Sequence, residues 1–180
     1  VGDTTNRSSF TQIPGSFGAI SVWSMGSTVG ILVIQKSDYT IWACGYNANG
    51  QLGDGTTTSR SSLVNVTTNW GGGTGVTLVK VIGGYGNYTS AANATGWTGM
   101  LLDDGTYRFF KYVGTYAGST GQASPYSLFG TTSTRISDIS GYGGTAGSMM
   151  FLFENGDLYT AGYNASGQLG NGTTTDNFVP

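Results

Sequence analysis

The sequence predicts an all-β fold: about three four-stranded propeller blades forming a partial or open β-propeller. Three observations lead there. Gly, Thr, Ser and Asn supply 88 of the 180 residues, a mixture of turn formers and β-branched strand formers. No stretch combines an apolar 3.6-residue period with end caps, so no helix is predicted. Long segments recur. Gly45 to Thr58 (GYNANGQLGDGTTT) matches Gly162 to Thr175 (GYNASGQLGNGTTT), differing only at Asn49/Ser166 and Asp54/Asn171. The content of aromatic (13%) and apolar (38%) residues is too high for a disordered linker, and Gly lacks the strict period of collagen.

A separation of 117 residues between the two copies is too long for one repeat, so a middle copy is expected. It is present in degraded form. Ile82-Gly83-Gly84-Tyr85-Gly86 answers Ile139-Ser140-Gly141-Tyr142-Gly143, and Leu101 to Tyr107 answers Leu152 to Leu158. Tyr116 to Gln122 reads as an expanded Tyr163 to Gln168. Gly2 to Phe10 aligns with Gly55 to Leu63. The units run from 1 to 54 (beginning in mid-motif), 55 to 129 with an insertion near Asn87 to Gly99, and 130 to 180, the last including the start of a further repeat.

Within each unit two apolar runs flank a turn. Val29 to Ile34 and Tyr39 to Trp42 flank Lys36-Ser37-Asp38. Gly99 to Leu102 turns at Asp103-Asp104-Gly105 and returns at Tyr107 to Val113. Ser148 to Phe153 turns at Asn155-Gly156 and returns at Leu158 to Ala161. Acidic-Gly and Asn-Gly pairs between apolar runs are hairpin signals, and three or four short strands per repeated unit read as blades.

These residues resemble the regulator of chromosome condensation type repeat. The resemblance rests on Trp42-Ala43-Cys44-Gly45-Tyr46-Asn47 with Gly50-Gln51-Leu52-Gly53, and on Tyr159-Thr160-Ala161-Gly162-Tyr163-Asn164 with Gly167-Gln168-Leu169-Gly170. It implies four-stranded blades and gives Gly45, Asn47, Gly50, Gln51, Leu52, Gly53 and their second-copy counterparts a repeat-structural role. The family's usual His is missing, with Tyr85 and Tyr142 near its place. A ring of about seven blades is usual for the family, whereas three leave an open edge at both ends. Nucleotide exchange on a small GTPase, which the family is known for, uses loops of a complete ring, and no residue here carries it.

Scarce residues exclude several chemistries. There is no His and one Cys, Cys44, so standard zinc sites and His-dependent triads cannot be built. Cys44 is expected as an inert buried thiol and Trp42 as core. Seven scattered Lys and Arg give no nucleic-acid footprint, and no apolar run is long enough to insert into a membrane. The Gly-rich stretches at 71–75 and 141–147 fit no phosphate-binding pattern and read as turns. Asp103-Asp104 reads as a turn and not as a metal pair. Six Asn-x-Ser/Thr sequons occur, at Asn6, Asn65, Asn87, Asn93, Asn164 and Asn171. Trp70, Trp97 and Tyr88 are candidate surface contacts on polar loops, weighed against the commoner fate of capping a blade end. No cofactor or metal is expected.

Composition supplies the expected setting. Low charge with abundant uncharged polar residues resembles bacteriophage tail and fibre proteins. The expectation is a non-enzymatic structural and binding module on a virion surface: a tail fibre, spike or decoration protein. Its partners would be other virion subunits, copies of itself, or a host-surface glycan or protein. The alternative is a bacterial secreted or cell-surface propeller that binds a protein or glycan.

Overall fold

The structure, a computed structural model, describes residues 2–6, 9, 11–25, 30–48, 50–85, 96–105, 107–111, 122–126, 135–142 and 148–177. Sheet 1 is formed by β1 (Ala19–Met25), β2 (Ile31–Lys36), β3 (Ile41–Gly45) and β4 (Arg60–Asn65). Sheet 2 holds β5 (Leu78–Tyr85), β6 (Gly96–Leu102), β7 (Tyr107–Lys111) and β8 (Gln122–Tyr126). Sheet 3 holds β9 (Ile136–Tyr142), β10 (Ser148–Phe153) and β11 (Leu158–Gly162), and a bridge from Gly162 to Asn177 marks a fourth edge. Every paired neighbour is antiparallel and adjacent in sequence. These are three blades of a partial β-propeller. The sheets are not in phase with the sequence units, because β4 follows the GQLG turn that closes the first unit.

Blade 3 repeats blade 1 strand for strand at a constant offset of 117 residues. β1, β2 and β3 map onto β9, β10 and β11 end to end, and the Gly45–Arg60 pairing maps onto Gly162–Asn177. Blade 2 follows by register. Its Val81 lies opposite Met100, as Ile139 lies opposite Phe151 and Val22 opposite Ile34. This corrects the sequence alignment by one residue, since Val81, not Ile82, is the counterpart of Ile139. The matching Gly-Tyr-Gly tails had suggested the other frame. With a side-chain period of two, that slip would exchange the two faces of the strand.

The faces show why register matters. Ile31, Val33, Ile41 and Ala43 of blade 1 meet Leu78, Val81, Met100 and Leu102 of blade 2 in one core, with Trp23 and Met25 at its border. Ile82, Leu101 and Tyr107 of blade 2 meet Ile136, Ile139, Phe151 and Phe153 of blade 3 in a second. Blade 2 is therefore apolar on both faces, with Leu101 pointing one way and Met100 and Leu102 the other. Tyr107 sets its ring edge to face against Phe151 at 4.8 Å, and its burial pushes the phenol pKa far up.

Candidate interaction surfaces

The two GQLG segments form buried hubs. Asn47 is fully buried, and its Nδ2 donates to Asp54 Oδ1 (3.0 Å) and to the carbonyls of Thr56 (2.9 Å) and Thr58 (3.2 Å). Its Oδ1 accepts the Leu52 N–H (2.8 Å), and its own N–H donates to Ser59 Oγ (3.0 Å). Asn164 repeats this on Asn171 (3.1 Å), Thr173 (2.9 Å), Thr175 (3.0 Å), Leu169 (2.9 Å) and Asp176 (2.8 Å). A side-chain amide suits the place because it supplies donors and an acceptor at once. Gly50 and Gly53 close successive turns by donating to the Asn47 and Gly50 carbonyls, as Gly167 and Gly170 do to Asn164 and Gly167. Gln51 is buried, while Gln168 is half-buried and accepts the Ser166 N–H (2.9 Å). Leu52 and Leu169 are buried beneath these turns. Gly45 takes φ 118°, and a Cβ there would overlap the Gly30 carbonyl oxygen.

The two hubs differ in charge. Asp54 pairs with Arg60 (2.8 Å), whereas the counterparts are Asn171 and Asn177, so carboxylate and guanidinium are replaced together. Burial works against the Asp54 carboxylate. Hydrogen bonds from the Thr56 hydroxyl, Arg60, the Thr56 N–H and Asn47 outweigh it and hold the pKa below the usual range.

Polar links join the blades. Gln35, fully buried, donates to the Val76 carbonyl (2.8 Å) and accepts the Leu78 N–H (2.9 Å), tying β2 to the start of β5. Between blades 2 and 3, Lys80 pairs with Asp138 (2.8 Å), which lowers the Asp138 pKa, and Arg135 donates to the carbonyls of Asp103 and Asp104.

The remaining candidates separate clearly. Trp70 is fully buried and donates its indole N–H to the Leu52 carbonyl (2.9 Å), so it is not a surface contact. After it the chain turns back, the Gly71 and Gly72 N–H groups donating to the Thr68 and Thr67 carbonyls, and Gly72 lies against Ile41. Trp97 lies in β6, paired with Gly84 and Lys111, and its side chain lies outside the described residues, as does Tyr88. Residues 87–95 of the expected insertion and 143–147 of the second Gly-rich stretch also lie outside them. Gln122 opens β8 opposite Lys111 instead of lying in a GQLG-type turn. Trp42 is half-buried, not core, with the Lys36 ammonium 4.3 Å from its ring centre. Cys44 is half-buried, and burial raises its thiol pKa. Asp103 and Asp104 are exposed in their turn. Asn164 is committed to its hub and offers no glycosylation site. Among the described residues, no three His, Cys, Asp or Glu side chains converge, and no helix is long and apolar enough to cross a membrane.

Sequence reasoning missed the two outer faces of the stack. On blade 3, Met150 (39%), Leu152 (40%) and Leu158 (61%) are exposed on one face, while Tyr159 lies on the other beside Phe153. On blade 1, Ile20 (55%) and Val22 (65%) are exposed on β1, with Phe17 (71%) in the turn before it. The signal was available, since both end strands keep an apolar residue at positions that face a neighbour in the middle of the stack.

Residues 155–180 match the family model described as the regulator of chromosome condensation (RCC1) repeat. The fold is similar to that of Prp20p from Saccharomyces cerevisiae, whose structure is described with its binding properties to Gsp1p and histones. The TM-score is 0.53 at 17% identity, covering 79% of this chain and 32% of that one. A structure of Kap60 bound to yeast RCC1 (Prp20) gives 0.52 at 17% identity, covering 82% and 34%. This chain thus spans about a third of the length of the chains it matches.

Proposed function

We propose that these RCC1-type blades form a non-enzymatic, protein-binding module, working at an exposed surface as a component of a bacteriophage virion such as a tail fibre, spike or decoration protein. The single observation that carries the binding role is the exposed apolar row Met150, Leu152 and Leu158 on blade 3. Contiguous apolar side chains on an ordered sheet are the usual mark of a protein contact. Prp20p, of similar fold, is described as binding Gsp1p and histones and is seen bound to Kap60, which supports proteins as the partner class. The lack of His and the single Cys support a module without acid–base or nucleophilic chemistry. The virion setting rests on composition, with 9% charged residues and many uncharged polar ones.

Mass spectrometry and antibody labelling of intact purified particles test the setting. Labelling of the outer surface is expected. Recovery of the chain from bacterial cytosol, and not from particles, would contradict it.

A further inference from the structure

We infer that Asn171 is a self-modification site: it deamidates to Asp through the backbone nitrogen of Gly172, within a hub that promotes the reaction and receives its product. The residue so formed is the one that blade 1 carries at the same place, Asp54.

An Asn-Gly pair permits this chemistry because the nitrogen of the following residue can attack the side-chain carbonyl carbon. Glycine, with no Cβ, obstructs that nitrogen least. Two such pairs lie among the described residues, Asn155-Gly156 and Asn171-Gly172. Both have an Asp counterpart in blade 1 at the constant offset, Asp38 and Asp54. Their partners separate them. Asp38 Oδ1 accepts the Thr40 N–H (3.0 Å) and hydroxyl (2.6 Å), but the counterpart of Thr40 is Asp157. Asn155 accordingly donates its Nδ2 to Asp157 Oδ2 (2.7 Å) and accepts the Asp157 N–H (3.1 Å). A carboxylate at 155 would meet a second carboxylate.

At 171 the partners are those of the Asp counterpart. Asp54 Oδ1 accepts from Asn47 Nδ2 (3.0 Å), the Thr56 N–H (2.9 Å) and the Thr56 hydroxyl (2.7 Å). Asn171 Oδ1 accepts from Asn164 Nδ2 (3.1 Å), the Thr173 N–H (3.1 Å) and the Thr173 hydroxyl (2.9 Å). Its Nδ2, the group that must leave, makes no hydrogen bond among the described residues. Three donors thus converge on the oxygen that turns anionic when Gly172 N adds to Cγ, an arrangement that stabilises a tetrahedral intermediate. The bond from the Thr173 N–H also folds the side chain over the intervening peptide, to which Gly172 N belongs.

In the first step Gly172 N gives its proton to solvent base and bonds to Cγ. The Cγ–Nδ2 bond breaks, and ammonia leaves with a proton from solvent. Water then adds to Cγ of the cyclic imide, the bond from Cγ to Gly172 N breaks, and that nitrogen regains its proton. A carboxylate remains. Water adding at the backbone carbonyl would instead give isoaspartate, with a main chain one carbon longer. Donors on Oδ1 polarise Cγ and direct the water there. The new carboxylate keeps the three donors but has no cation beside it, because Asn177 stands in place of Arg60.

Peptide mass spectrometry of the 180-residue chain at mildly alkaline pH, in native buffer and in concentrated urea, follows the amide-to-acid change at both pairs. The rate at Asn171 relative to Asn155 should be about tenfold or more higher in the native chain than in urea. The native product at 171 should be mainly Asp, distinguished from isoaspartate by electron-transfer fragmentation. Thr173→Val keeps the N–H and removes the hydroxyl, so it should slow Asn171 about tenfold and leave Asn155 unchanged. Should that variant fail to fold, the native-to-urea comparison still decides. Asn171→Asp, the product itself, should unfold at the wild-type denaturant midpoint or above it. A native ratio no higher than in urea, isoaspartate as the main native product, or a lowered midpoint for Asn171→Asp overturns the inference.

Discussion

Asn47 and Asn164 hold the turns of blades 1 and 3 closed from inside. Asn47→Ala would leave the Leu52 N–H and the Thr56 and Thr58 carbonyls without their partner in a buried site. It should cost about 2–4 kcal/mol in chemical denaturation. Asp54 beside it sets an acid limit. Its folded pKa is lowered, so its contribution is complete above the unfolded carboxylate value near 4 and is lost as the pH falls through the folded value. Stability measured against pH should fall on acidification below about 4, and Asp54→Asn should flatten that limb. Tyr39 is the reverse case, a side chain where the backbone favours none. It takes φ 65° at the position that Gly105 (80°) and Gly156 (88°) fill in the other two hairpins. Tyr39→Gly should therefore raise stability by about 0.5–1 kcal/mol in thermal or urea unfolding. The Asn hubs were legible as repeated residues, but their hydrogen bonds were not, since identity at twelve of fourteen positions says nothing about which atoms meet.

At the scale of the element, each blade is a meander whose hairpins the sequence marks plainly. Asp104-Gly105 and Asn155-Gly156 stand between apolar runs, and both turns lie where those pairs predict. The connectors were harder to read. Trp70, followed by Gly71-Gly72-Gly73, looks like an exposed aromatic on a polar loop, yet it is fully buried with its N–H on the Leu52 carbonyl. Local composition could not reveal this, because the covering surface comes from a turn 18 residues earlier. Trp70→Phe keeps most of the apolar contact and removes the donor, so it should cost about 1–2 kcal/mol, against about 3–5 kcal/mol for Trp70→Ala. Equilibrium unfolding of the two variants separates the hydrogen bond from the packing.

For the whole molecule, the property that matters is how the blades cover one another. Blade 2 is covered on both faces, while Leu152 and Leu158 of blade 3 and Val22 of blade 1 are exposed where their blade 2 counterparts Leu101, Tyr107 and Val81 are buried. Sequence reading gave the repeated units but could not tell which apolar residues of the blades are exposed. That depends on register, and the Gly-Tyr-Gly match suggested a frame one residue away. The most direct test is the oxidation rate of Met150, read by fragment mass spectrometry that separates it from Met149. Met100, 0% exposed in the core between blades 1 and 2, is the internal reference. Met150 should oxidise much faster than Met100. A Met150 as slow as Met100 would contradict the account.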